Sequence, residues 1–500
     1  METIQPFING RFIDSKSDRY NEIHNPSTGK VIARIPVCTA EEVNDAVKAA
    51  AAAFPAWRDT PLRKRMQLML KLRDLIVRDM DELTLCCARE NGKVLSEAAG
   101  DVGKALEMTE LAAGCIHELM GDSLMNTSSG YDTVSYREPL GVFAGIAPWN
   151  FPAMIPVGWM APLCIVCGNT FVLKPASTTP ITCLKFAKLY QEAGFPDGVF
   201  NVVPCSRQEA ELLLTHPDVR GITFVGSTAV GKHVYETAAA HGKRVQALCE
   251  AKNHALVLRD APITRTAAGI INSAFGCAGE RCMALPVVVA EDCIADALIA
   301  EIVRLCKTQP IGPAYDPASK LGPVGTRQHM KFVENWIQAG IDEGASVVLD
   351  GRGVHVPGYE NGYYIGHTVL DHITPQMSVG QCEIFGPVLC VKRVSGFEEG
   401  IRLINENPFA NGAVIFTQYG YYAREFARRI DGGMVGINVG IPVPIGAFSF
   451  TGHKQSFFGD LHCHGRDAFR FYTETKTITT RWFDEEEMKK EQVDSWDGSL

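Results

Sequence analysis

From Gly141 to Leu248 the sequence alternates short apolar runs with helical stretches, and that rhythm leaves few architectures open. Val142–Ala147, Thr170–Lys174, Val199–Val203, Gly221–Val225 and Arg244–Leu248 read as strands. Between them Pro152–Cys167, Ile181–Ala193, Ser206–Thr215 and Ser227–His241 read as helices. Strands separated by helices of this length imply βαβ units and a parallel sheet. Right-handed crossovers then bring the strand ends to one side, where such sheets bind ligands.

A second α/β run begins near Ala255, includes a helix ending near Phe275, and continues through Phe450. With 500 residues, the chain exceeds what one hydrophobic core organises, so two or more domains are expected. Ahead of the first run, Asn9-Gly10 predicts a hairpin turn within 7–12, and helical patterns cover 40–54, 62–90 and 95–120. After Phe471, threonines at alternate positions predict a late strand, followed by a charged tail from Asp484 to Leu500.

The formal charge of −9, with no basic run, argues against a nucleic-acid binder. The N-terminus shows no signal-peptide pattern, and prolines interrupt the most apolar stretch, 142–167, which argues against a membrane span. Sixteen irregularly spaced cysteines then point to free thiols in a reducing, cytoplasmic compartment. Cys164-x-x-Cys167 and His462-Cys463-His464 have no partner set at metal-site spacing, so no metal is expected.

Three motifs stand out. In Phe224-Val225-Gly226-Ser227-Thr228 a strand ends at a glycine and a helix opens with hydroxyl residues, which presents free amides and a positive helix end to an anion. A plain structural turn accounts for the same residues. In Gly276-Cys277-Ala278-Gly279-Glu280-Arg281-Cys282 a glycine-rich loop leads to a cysteine beside an arginine, which fits an activated thiol and, equally, a buried structural one. In Ala147-Pro148-Trp149-Asn150-Phe151-Pro152 the Asn150 amide is the lone polar group of an apolar turn, either capping it or held ready to donate.

Taken in order with Leu173-Lys174-Pro175 and Glu383-Ile384-Phe385-Gly386-Pro387-Val388, these motifs resemble the aldehyde dehydrogenase superfamily over essentially the whole chain. Ala251-Lys252-Asn253-His254, Met434–Asn438, Phe448–Gly452 and Phe471–Thr477 are similar to its methylmalonate-semialdehyde dehydrogenase branch, which acylates coenzyme A. The resemblance implies an α/β fold with a parallel-sheet, Rossmann-like NAD-binding domain over 1–130 and 141–248. A catalytic α/β domain would follow over 249–445, and a small β oligomerisation arm over 131–140 and 470–500, giving a homodimer or homotetramer.

By the same resemblance Cys282 is the nucleophile that forms a thioester, and the Asn150 amide holds the oxyanion. Ala147, Pro148, Trp149, Lys174, Ser177, Gly226, Ser227, Glu383 and Phe385 form the cofactor site, while Arg281, Lys104 and Phe151 contact an anionic aldehyde. For Glu383 and Lys104 the plain alternatives are a structural carboxylate and a surface lysine.

Three departures shape the expectation. Hydrolytic relatives place a glutamate where this chain has Leu248, so water lacks its base and a thiol, coenzyme A, is the better second nucleophile. Glu250 stands where those relatives have glycine, and is either a displaced carboxylate or a substitute base. Ser177 replaces the acidic residue that NAD-preferring members use, which leaves NADP open, and Lys104 replaces an arginine of the branch. The competing readings are a hydrolytic semialdehyde dehydrogenase, an enzyme for sulfonated or phosphonated aldehydes, a catalytically silent descendant, and a thiol-rich redox or metal protein.

Overall fold

The computed structural model describes residues 2–489. Two large sheets organise it. The first has eight strands in the order Phe457–Gly459, Arg244–Leu248, Val219–Val225, Val142–Ile146, Thr170–Lys174, Phe200–Val202, Phe7–Ile8 and Arg11–Phe12. The strands from 244–248 through 200–202 are all parallel, and the flanking pairs are antiparallel. Each central strand falls within a residue or two of its expected position.

Period-two geometry explains how these strands are buried. Phe143 and Phe171 enter one apolar cluster with Trp57 and Leu72, while Val142, Ala144 and Val172 enter another with Val43 and Val47 on the opposite face. Each fully covered Phe or Val contributes about 1.5–3 kcal/mol through burial. The second sheet has seven strands, from Ser346–Leu349 at one edge to Met434–Ile437 at the other. It is parallel except at the 346–349 edge, and Val287 and Val288 again point into separate clusters.

Strand order fixes where a ligand can enter. The chain runs outward from 142–146 through 170–174 to 200–202, then returns to the opposite side of 142–146 at 219–225. The loops after 142–146 and 219–225 therefore diverge, opening a crevice at a topological switch point.

Several elements differ from expectation for local physical reasons. The helix expected over 62–90 is two, Leu62–Arg78 and Met80–Asn91, broken at Asp79. The one expected over 95–120 ends at Ala113, with a tighter turn at Cys115–Leu119. Pro152–Cys167 becomes a wide π-type stretch, Met154–Met160, followed by a short α-helix, Ala161–Val166; Pro156 and Pro162 each remove a backbone donor there. The Asn9-Gly10 turn forms with both residues at positive φ (50° and 72°).

Tyr131–Pro139 pairs antiparallel with Thr473–Arg481 over nine residues, and a further strand, Ser123–Ser128, which the sequence did not announce, joins the same sheet. The expected arm extends to 500, and residues 490–500 lie outside the described residues. Among the described residues no helix is long and apolar enough to cross a membrane.

Candidate active site

The crevice at the switch point is a cavity of about 520 Å³. Its walls bring together Ala147, Pro148, Trp149 and Asn150 from the loop after 142–146, and Lys174 from the next strand end. Gly226 and Ser227 line it from the start of helix Thr228–Ala240, and Glu383 and Phe385 from the second sheet's side. Ser177, expected among them, lies half-buried in the turn after Lys174 and is not part of the lining.

Behind this space lies a second cavity of about 390 Å³, lined by Glu97, Phe151, Trp159, Arg281, Ile441 and Phe450 among others. Cys282 lines both and is the one residue they share. Its loop is built for that position. Cys277 and Ala278 adopt left-handed backbone (φ 50° and 53°), and Gly279 follows at φ 77°. A Cβ on Gly279 would lie 2.1 Å from the Gly386 carbonyl oxygen, so glycine there lets the Cys282 loop lie against the Glu383–Pro387 loop. The Cys282 carbonyl accepts from the side-chain amides of Asn253 (2.8 Å) and Asn411 (3.2 Å), which fixes the cysteine's orientation.

Asn150 is buried, and its amide donates to the Glu280 carbonyl at 2.9 Å, so one N–H is used in positioning and the other remains. Its own carbonyl accepts from Lys93 Nζ at 2.6 Å. Lys93 is itself fully enclosed: it pairs with Asp101 at 2.9 Å and lies 3.6 Å from the centre of the Phe151 ring. Lys93 and Asp101 adjoin the site, and sequence reading missed their pairing because nothing local marks a lysine destined for a buried ion pair.

Burial governs the electrostatics. It pushes the Cys282 thiol up to about 12, reinforced by Glu383 and opposed by backbone amides and Arg281. The thiol is therefore protonated at neutral pH before a substrate or cofactor arrives. Burial also pushes Glu383 up to about 8, against the Ala251 N–H that its Oε1 accepts at 3.0 Å, while the charge of Glu250 adds to the rise. Glu280 is raised well above the usual carboxylate range by burial, although it accepts from the Gly325 N–H at 2.9 Å.

The two cations expected to read an anion are both already paired. Arg281 reaches Glu97 at 3.2 Å, and Lys104 binds Glu107 at 2.8 Å while staying outside the lining of the second cavity. Leu248, at the position where hydrolytic relatives carry a base, is 6% exposed and belongs to the apolar cluster against which Cys282 packs. Glu250 lines the larger cavity, with its carboxylate on the Thr228 N–H at 2.9 Å. Among the described residues no group of three or more His, Cys, Asp or Glu side chains could hold a metal ion.

Known proteins share the fold. The sequence profile described as the aldehyde dehydrogenase family matches residues 12–478. Malonate-semialdehyde dehydrogenase 1 of Oceanobacillus iheyensis is 46% identical over 480 residues, 96% of this chain and 98% of its own. A malonate-semialdehyde dehydrogenase of Geobacillus kaustophilus is 45% identical, covering 96% and 99%. Among solved structures, a methylmalonate-semialdehyde dehydrogenase from Oceanimonas doudoroffii superposes with a TM-score of 0.95 at 43% identity, over 97% of this chain and 99% of that one. A putative methylmalonate-semialdehyde dehydrogenase from Sinorhizobium meliloti, complexed with NAD, has the same TM-score at 41% identity, with the same coverage. The family profile covers most of the chain and these relatives match along nearly all of it, and the chain belongs to the aldehyde dehydrogenase family.

Proposed function

We propose that this enzyme oxidises a short anionic aldehyde of the malonate- or methylmalonate-semialdehyde type and passes the acyl group to coenzyme A. The observation that carries this reading is the placement of Cys282 between the two cavities, with Leu248 instead of a carboxylate in the apolar cluster beside it.

The larger cavity suits NAD. The helix Thr228–Ala240 opens into it, and its N-cap residue, Ser227, makes no side-chain cap bond, leaving that hydroxyl for a phosphate. Lys174 lines it half-buried, and its ammonium has no hydrogen-bond or ion-pair partner among the described residues, which leaves it for a ribose. Glu383 faces the same space, fitting the hydroxyls of the other ribose. The exposed Arg207, with no partner among the described residues, adds a cation to this wall and keeps NADP within reach.

The aldehyde enters the smaller cavity, between Phe151 and Arg281. Cys282 Sγ gives up its proton to solvent in the cavity and attacks the carbonyl carbon, and the free Asn150 N–H with the Cys282 backbone N–H takes the oxyanion. Bound nicotinamide supplies the hydride acceptor. The acyl group is then a thioester on Cys282, and its exchange onto a second thiol releases the cysteine. Leu248, buried and apolar, offers no carboxylate to activate water, which supports coenzyme A over water as the acceptor.

The three-stranded arm carries exposed Leu124, Met125, Tyr136 and Trp482, apolar surface that a second subunit would cover, in keeping with a homodimer or homotetramer. All sixteen cysteines are free, in keeping with a cytoplasmic enzyme.

The test is absorbance of the reduced nicotinamide with NAD and malonate semialdehyde, with and without coenzyme A. Sustained turnover only with coenzyme A, with acyl-CoA as product, is expected. A hydrolytic rate matching the coenzyme A rate would defeat the acylating mechanism.

A further inference from the structure

Two carboxylates on the larger cavity's wall, Glu211 and Glu250, have no task in the reaction above; Glu211 is paired with His233 at 2.8 Å, and the geometry of Glu250 gives it one. Its Oε2 accepts from the backbone N–H of Thr228 at 2.9 Å. That residue opens the 13-residue helix Thr228–Ala240, so the side chain sits on the first-turn amides, where the helix is most attractive to an anion. Ser227, the N-cap residue, makes no side-chain cap bond, so the carboxylate supplies the missing cap from 22 residues away. Glu250, Ser227 and Gly226 all line the larger cavity.

The backbone beneath Glu250 is pinned. Its N–H donates to Thr228 Oγ1 at 3.3 Å, and its carbonyl accepts from Ser456 Oγ at 2.7 Å. The neighbouring Cys249 N–H is held by the Ser456 carbonyl at 2.9 Å. The carboxylate can leave the helix end only by side-chain rotation, with the loop in place. Rotation within the cavity brings it toward Glu383, whose own carboxylate rests on the next residue's amide, Ala251 N–H, at 3.0 Å.

We propose that Glu250 is an intramolecular competitor for the cofactor's pyrophosphate: in the free enzyme its carboxylate occupies the helix-end amide, and the dinucleotide must expel it to bind. This rests on the reading that the larger cavity is the dinucleotide site. Two anions cannot share one first-turn amide, so dinucleotide affinity is lower than the same helix end would otherwise give. A ligand without phosphate meets no such competition.

The experiment measures NAD and adenosine binding to the full-length wild-type enzyme and to Glu250→Ala and Glu250→Gln, by quenching of tryptophan fluorescence and by calorimetry. Thermal unfolding checks that each variant is folded. Glu250→Ala is expected to bind NAD about fivefold more tightly, with adenosine unchanged. Glu250→Gln keeps an acceptor for the Thr228 amide but loses the charge, so a smaller gain in NAD affinity is expected, together with wild-type thermal stability. Unchanged or weaker NAD binding in both variants, with wild type binding NAD normally, would overturn the proposal. Equal gains for adenosine and NAD would also overturn it, because the effect would then be on cavity shape. Failure of NAD to bind any of the three proteins would instead remove the dinucleotide reading on which the proposal stands.

Discussion

Replacing Lys93 by methionine tests the claim that a buried ion pair holds the Asn150 turn. Lys93 and Asp101 are 2.9 Å apart with side chains 1% and 0% exposed. Removing one partner of such a pair costs about 3–5 kcal/mol, because the other charge stays buried without it. Asp101 would keep two donors, the Met154 N–H at 2.6 Å and the Cys87 thiol at 3.3 Å, which pulls the estimate toward the lower end. Loss of the charged bond to the Asn150 carbonyl, at 2.6 Å, adds about 1.5–3 kcal/mol. Methionine, of similar length, recovers part of that by packing on Phe151, so a net loss of about 4 kcal/mol is expected. In Lys93→Met/Asp101→Leu no buried charge remains, and the double variant should be less destabilised than the two single losses added, by at least about 1 kcal/mol. Urea unfolding followed by tryptophan fluorescence measures all four proteins. In Lys93→Met, kcat should also fall about tenfold with little change in KM for the cofactor, since the displaced Asn150 acts on the oxyanion. Additive losses in the double variant, or an unaltered kcat in Lys93→Met, would refute the reasoning.

Three other outcomes follow from the site. Leu248→Glu should introduce turnover without coenzyme A, seen as release of free acid, and its absence would show that a carboxylate at this position cannot reach the thioester. Arg281→Gln should lower kcat/KM for malonate semialdehyde about 10- to 100-fold, the value of one charge-assisted hydrogen bond, while altering propanal far less. Equal losses on both substrates would mean that Arg281 serves only its pair with Glu97. Because burial holds the Cys282 thiol up to about 12, its thiolate fraction in cofactor-free enzyme grows about tenfold per pH unit through the neutral range. Iodoacetamide labelling of the Cys282 peptide should rise accordingly between about pH 7 and pH 9, and a plateau below pH 8 would contradict the shift.

The parallel strands and the turn at Gly226 were legible in the sequence because both depend on near neighbours, whereas Lys174, Glu383 and Phe385 were named only through the family resemblance. Strand Thr170–Lys174 and the turn at Gly226 each announce themselves within five residues. Groups that meet across long separations gave no such signal. Arg281 and Glu97 are 184 positions apart, and Lys93 reaches Asn150 across 57. Arg281 was readable as a cation at the site, but its neutralising partner was not. Lys104 pairs with Glu107 three positions on and contacts the Pro444 carbonyl 340 positions away, and it is not part of the lining of the cavity where its charge was expected. Glu250 was visible as an oddity, yet only the folded chain brings the Thr228 amide to it. Strand Ser123–Ser128 escaped because it is exposed along most of its length and lacks an apolar alternation.

A thiol that forms the partition between two chambers also dictates the order of traffic. On the proposed reading an acyl group on that thiol lies toward the rear chamber, and a second thiol that comes to it through the front must pass where the dinucleotide would sit. A third reactant arriving early finds that doorway blocked, so the departure of one guest is the admission of the next.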